Sequence, residues 1–135
     1  MTIPISNIDH VVLRTLDVAG LKQFYSNVFG CTVEREQGDI GLTQLRAGHA
    51  LIDLVDVNKP LGEKGGAAPG REGRNLDHFC LRIEPFDEEA IRAHLASLSI
   101  EAPATARRNG AEGEGPSIYI EDPDGNTVEL KGPPD

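Results

Sequence analysis

Internal repetition constrains this chain more than any other feature. Asn7-Ile8-Asp9-His10-Val11-Val12-Leu13-Arg14 returns without a gap, 68 residues later, as Asn75-Leu76-Asp77-His78-Phe79-Cys80-Leu81-Arg82. Asn, Asp, His, Leu and Arg are identical in the two copies, and Ile8/Leu76 and Val11/Phe79 stay apolar. Two units of that period account for nearly all of the 135 residues. The chain therefore reads as one module used twice, each copy opening on a strand that carries a histidine. Side-chain alternation puts Ile8, His10, Val12 and Arg14 on one face of the first strand, with Asp9, Val11 and Leu13 on the other.

The elements follow from local chemistry. After a strand over 6–14, Thr15 or Asp17 is the candidate N-cap of a helix whose apolar stripe is Val18, Leu21, Phe24 (with Tyr25) and Val28. Gly30 is its expected C-terminal stop. Strands are expected over 31–37, 41–46 and 50–57, separated by Gln37-Gly38-Asp39 and Ala47-Gly48-His49. Residues 58–74 hold five glycines and two prolines, which speaks against any regular element there and for a functional or mobile connection. The second module opens at Asn75. Its helix begins after Pro85, with Asp87 as N-cap, Glu88 and Glu89 at the positive end of the dipole and Ile91, Leu95 and Leu98 as its stripe. Residues 103–116 read as loop in the middle; a strand over 117–121, the turn Asp122-Pro123-Asp124-Gly125 and a strand over 126–131 close the module. The expected fold is α+β: two tandem βαβββ modules forming a cupped mixed sheet. It is a single domain over 1–135, with module one at 6–57, the linker at 58–74 and module two at 75–131.

Composition narrows the partners. The net charge of −9 argues against nucleic acid and anionic membrane. No apolar run approaches a membrane span, and Met1-Thr2-Ile3-Pro4-Ile5 lacks the basic start of a signal peptide, so a cytoplasmic location is expected. Cys31 and Cys80 lack metal-type spacing and read as reduced core residues. Four Phe, two Tyr and no Trp argue against an aromatic-rich pocket and favour a small polar substrate.

The chemistry-bearing residues lie in the strands. His10 and His78 are repeat equivalents. Asp53, inside the apolar run Leu51-Ile52-Asp53-Leu54-Val55, and Glu129, in Thr127-Val128-Glu129-Leu130, share a local pattern. A carboxylate in such a run is costly unless partnered. Two imidazoles and one or two carboxylates suit a divalent ion such as Zn, Ni, Mn, Co or Fe, and residue type does not choose among them. Structural strand histidines, or a duplication that has lost its metal, give the same pattern. His49 and His94 read as ordinary turn and helix residues. Arg14 and Arg82, two places beyond each histidine, suit either an anionic substrate or acidic neighbours.

Four stretches carry a family resemblance: Ile8-Asp9-His10-Val11-Val12-Leu13, Phe24-Tyr25-Ser26-Asn27-Val28-Phe29-Gly30, Leu76-Asp77-His78, and, most specific, Asp122-Pro123-Asp124-Gly125-Asn126-Thr127-Val128-Glu129-Leu130. Over 6–131 the chain resembles the vicinal oxygen chelate superfamily. This superfamily includes glyoxalase I, type I extradiol dioxygenases, fosfomycin-resistance proteins, methylmalonyl-CoA epimerase and bleomycin-resistance proteins. The resemblance implies His10, His78 and Glu129 as metal ligands. Asp53 falls where glyoxalase I has a fourth ligand, a glutamate that also serves as base, and is one methylene shorter. Tyr119 falls where fosfomycin-resistance proteins have an active-site tyrosine, although Val12 stands in place of their threonine. No second-shell histidine of the ring-cleaving dioxygenases is evident. The implied function is a divalent-metal-dependent, glyoxalase-like lyase or isomerase acting on a small substrate that chelates the ion through adjacent oxygens, with Asp53, Glu129 and Tyr119 in catalysis. The alternatives are an Fe(II) extradiol-type dioxygenase, a fosfomycin-type transferase or hydrolase, and a non-catalytic drug- or metabolite-binding protein. A homodimer is expected, with modules paired within one chain or exchanged between two.

Overall fold

The computed structural model describes residues 1–135. The chain falls into two compact units, Met1–Gly70 and Arg71–Asp135.

In the first unit the repeat opens with β1, His10–Thr15, and α1, Val18–Phe29. Asp17 caps α1 by accepting a hydrogen bond from the Gly20 amide at 2.9 Å, leaving Thr15 to the strand. Gly30 ends the helix in the left-handed region at φ 69°, which a side chain would strain. Next come β2 at Thr32–Gln37, β3 at Leu42–Ala47 and β4 at Ala50–Asp56. The sheet order is β1-β4-β3-β2, with β4 parallel to β1 and antiparallel to β3. Alternation then sorts the residues. Leu13, Thr15, Leu45, Ile52 and Leu54 share the face that joins Leu21 and Tyr25 of α1 in the core. His10, Val12, Arg14, Gln44 and Asp53 share the other face.

The segment after β4 is not wholly irregular. Pro60–Glu63 forms a one-turn helix, α2, with proline at its start. The missing N–H of Pro60 costs nothing at that position, and glycine is what the site admits next: a Cβ on Gly62 would stand 1.9 Å from the Asp56 carbonyl oxygen. The expectation of no regular element over 58–74 is corrected to that extent.

The second unit repeats the plan with β5 at Phe79–Arg82, α3 at Glu88–Ser97, β6 at Ala106–Arg108, β7 at Gly115–Glu121 and β8 at Thr127–Lys131. Asp87 caps α3 through the Ala90 amide. The sheet order is β5-β8-β7-β6, with β8 parallel to β5. β6 is only three residues long, and β7 begins two residues before the expected strand. Between β7 and β8, Asp122 accepts from the amides of Asp124 and Asn126, and Gly125 takes φ 78°. This turn sets the register that pairs Tyr119 with Glu129. Cys31 is buried, as expected, but Cys80 is exposed. Between Phe79 and Leu81, alternation turns Cys80 to the same face as Glu129 rather than into the core.

Candidate metal-binding residues in each repeat

Strand pairing gives the two carboxylates a common position. In the first unit Val12, two residues past His10, pairs with Asp53; in the second Cys80, two residues past His78, pairs with Glu129. Asp53 and Glu129 are therefore equivalent in the repeat, each diagonal to its histidine. The same comparison makes Gln44 the counterpart of Tyr119, because Gln44 pairs with Asp53 as Tyr119 pairs with Glu129.

In the second unit His78 Nε2 lies 3.2 Å from Glu129 Oε2, and its Nδ1 lies 2.7 Å from Asp77 Oδ2. Glu129 is 5% exposed. Its other oxygen, Oε1, accepts a 2.7 Å hydrogen bond from the Ser117 hydroxyl. Tyr119 sits edge-on to His78, ring centroids 5.4 Å apart, and the Arg108 guanidinium lies 4.0 Å above the tyrosine ring. The Cys80 thiol, facing the same carboxylate, is pushed up to about 11, first by desolvation and then by the charge of Glu129.

In the first unit His10 Nδ1 lies 2.6 Å from Asp9 Oδ1, and Nε2 lies 3.9 Å from Asp53 Oδ2. The hydrogen bond to Asp9 raises the His10 pKa above its ordinary value. Desolvation opposes that shift and the Asp53 charge adds to it. Asp53 is 4% exposed, and the Gln44 amide donates to both of its oxygens, at 3.2 and 3.3 Å.

The arginines two places beyond the histidines are committed elsewhere. Arg14 donates to the carbonyls of Gly62, Gly66 and Ala67 at 2.9, 2.6 and 3.0 Å. Arg82 pairs with Glu112 at 2.9 Å. His49 and His94 are exposed, as ordinary turn and helix positions.

A neutral imidazole offers one N–H and one lone pair, whereas an ionised carboxylate only accepts. Both nitrogens of His78 face carboxylate oxygens. If Nδ1–H donates to Asp77, the Nε2 lone pair points at Glu129, and that contact is favourable only with a cation or proton between them. A carboxylate behind a metal-binding histidine is the usual means of fixing its tautomer. Two ligands about 2.1 Å from one ion, at angles of about 90–110°, stand about 3.0–3.4 Å apart. The 3.2 Å between His78 and Glu129 fits this spacing; the 3.9 Å between His10 and Asp53 exceeds it. Neither repeat by itself brings three His, Cys, Asp or Glu side chains within range of one ion.

Sequence reasoning did not single out Gln44, Ser117, Arg108, Asp9 or Asp77. The two aspartates carried a signal, since both stand directly before a repeated histidine.

Residues 7–130 match the family model for the Glyoxalase/Bleomycin resistance protein/Dioxygenase superfamily. The chain belongs to this superfamily. Within it, the chain is 33% identical over 129 residues to the virulence protein STM3117 of Salmonella typhimurium, covering 93% of this chain and 83% of that protein. The crystal structure of that protein superposes with a TM-score of 0.79 at 25% identity, over 98% of this chain and 100% of the other. Two further solved structures share the fold at lower identity. A mutant of the fosfomycin resistance protein FosX from Listeria monocytogenes, complexed with Mn(II) and 1S,2S-dihydroxypropylphosphonic acid, has a TM-score of 0.70 at 20% identity and covers 97% and 93% of the two chains. Lactoylglutathione lyase from Agrobacterium tumefaciens has a TM-score of 0.68 at 22% identity, covering 96% and 95%. No helix of the chain is long and apolar enough to cross a membrane.

Proposed function

We propose that this superfamily member is a divalent-metal-dependent enzyme, a glyoxalase-like lyase or an isomerase, acting on a small substrate that chelates the ion through adjacent oxygens. The observation that carries the reading is an imidazole with a carboxylate at each nitrogen, seen at His78 and repeated more loosely at His10. In this reading His10, His78 and Glu129 hold one ion of the Zn, Ni, Mn, Co or Fe group. When bound, the ion supplies Lewis-acid stabilisation of negative charge on the chelated oxygens. The Mn(II) complex of FosX and the lyase from Agrobacterium tumefaciens, both on this fold, support that choice of chemistry.

The chain's own residues do the rest. Asp9 and Asp77 hold the imidazoles by Nδ1, leaving the Nε2 lone pair for the ion. Asp53 serves as the base, taking a proton from the carbon alpha to a carbonyl and returning it. Its 3.9 Å distance from His10 favours that role over direct ligation. Tyr119 offers its phenol to the substrate beside His78. In this reading the first repeat supplies His10 to the ion and Asp53 as base, and the second supplies His78 and Glu129. We propose a homodimer as the assembly, with modules paired within one chain or exchanged across 58–74 between two.

Elemental analysis of untagged protein purified without chelator is the direct test, with His10→Ala and Glu129→Ala beside it. Near-stoichiometric metal in the parent and little in the variants supports the site; a parent that stays metal-free after reconstitution refutes it. Mixing the two variant chains restores binding only if the ligands come from different subunits. Proton exchange alpha to a carbonyl without oxygen uptake supports lyase or isomerase work. Oxygen uptake replaces that reading with dioxygenase chemistry, and ligand binding without turnover replaces it with a carrier.

A further inference from the structure

We propose that Arg108 and Ser117 form a positioning relay that holds Glu129 with one oxygen presented to His78; the inference rests on the metal reading above. The relay has a direction fixed by its donors. Arg108 Nη1 donates to the Ser117 hydroxyl oxygen at 3.1 Å, and to the carbonyl oxygen of the same residue at 3.1 Å. With its oxygen occupied as an acceptor, the hydroxyl turns its hydrogen to Glu129 Oε1 at 2.7 Å. Oε1 is thereby engaged, and Oε2 remains directed at His78 Nε2 at 3.2 Å.

Ser117 is fully buried, so its hydroxyl has no water to turn to. The Arg108 guanidinium is held from a second side by the Tyr119 ring, 4.0 Å below it. A glutamate has three side-chain torsions and loses them at a cost when it ligates. A hydroxyl that holds one oxygen beforehand removes part of that cost.

The first repeat supplies the contrast. Ser117 pairs with Lys131, two residues past Glu129; the matching pair in the first repeat is Leu42 with Val55, two residues past Asp53. Leucine has no hydroxyl to offer, and Asp53 is held instead by the Gln44 amide on both oxygens. Asp53 thus has both oxygens held by one amide, whereas Glu129 has Oε1 held by a hydroxyl and Oε2 turned to the imidazole.

Co(II) is the probe for the test, because its visible spectrum reports both occupancy and coordination geometry. The parent is titrated beside Ser117→Ala, Ser117→Thr, Arg108→Gln and the Ser117→Ala/Arg108→Gln double variant, with thermal melts of each metal-free protein. The expected result is a dissociation constant weaker by about 10–100-fold for Ser117→Ala with an altered d–d band, and a smaller loss for Arg108→Gln. The double variant should be no worse than Ser117→Ala, since the arginine acts through the serine. Ser117→Thr, which keeps the hydroxyl, should restore parental binding. If Ser117→Ala does not fold, Arg108→Gln at a half-buried position carries the test through its spectrum. Parental affinity and spectrum in folded Ser117→Ala, or in Arg108→Gln where the former does not fold, overturns the relay and leaves the metal reading standing. A parent that takes up no Co(II) overturns both.

Discussion

Arg14 ties the segment after β4 to the sheet, and removing it should release that segment measurably. Its guanidinium makes three hydrogen bonds, to the carbonyls of Gly62, Gly66 and Ala67. No acidic side chain shares these bonds, so they belong to the strap alone. Partly exposed hydrogen bonds of this kind contribute about 0.5–1 kcal/mol each after exchange with water, or about 2 kcal/mol together. Arg14→Ala should therefore raise the open population of the strap by about 30-fold. Lys64 lies inside the strap and is exposed, so trypsin reads the opening directly. When reclosing outpaces cleavage, the cutting rate at Lys64 follows the open population, and it should rise by the same factor. Gly65→Ala offers an independent route to the same state. A Cβ there would stand 2.3 Å from the Arg14 Cζ and displace the guanidinium while leaving the arginine in the chain. Equal cleavage at Lys64 in parent, Arg14→Ala and Gly65→Ala would refute the strap.

Asp77→Asn should weaken divalent-metal binding by about 10-fold without unfolding the protein, because His78 loses the carboxylate that fixes its tautomer; calorimetric titration with unchanged affinity removes that role from Asp77. Leu54→Ala, at a fully buried position on the helix-facing side of β4, should cost about 3 kcal/mol in urea unfolding; a loss below about 1 kcal/mol means the site collapses around the deletion. Alkylation of Cys80 should be slow at pH 8 and rise through its pKa of about 11. Glu129 disfavours the thiolate, so Glu129→Gln should lower that pKa and speed alkylation at pH 8; an unchanged profile shows that the carboxylate does not act on the sulfur.

Much of the fold was legible because the repeat states it twice. His10 and His78 declare themselves by recurrence, and the helix boundaries follow from Asp17, Gly30 and Asp87, whose capping chemistry is local. The match of Asp53 with Glu129 was visible in their flanking apolar residues, and strand register bears it out. Residues set by pairing between distant strands were not legible. Gln44 and Ser117 reach their carboxylates only through antiparallel register, and Arg108 lies in a strand three residues long among glycines. The three bonds of Arg14 go to backbone carbonyls, which leave no mark on residue type. α2 was missed because proline and glycine were read as breakers, whereas the first turn tolerates proline. Cys80 was assigned to the core on residue type, although its place between Phe79 and Leu81 already turned it outward.

In each repeat the first strand and the last lie side by side; the histidine stands at the start of the first (His10) or one residue before it (His78), and the last carries the carboxylate. The intervening helix and hairpin leave that seam and return to it. A substitution, insertion or altered turn within the excursion changes what stands next to the carboxylate without shifting the seam. The two repeats already differ in this way: the position beside the carboxylate is an amide in one and a phenol in the other. The architecture thus separates the part that keeps its spacing from the part free to change, and the repeat gives the protein two such parts to vary independently.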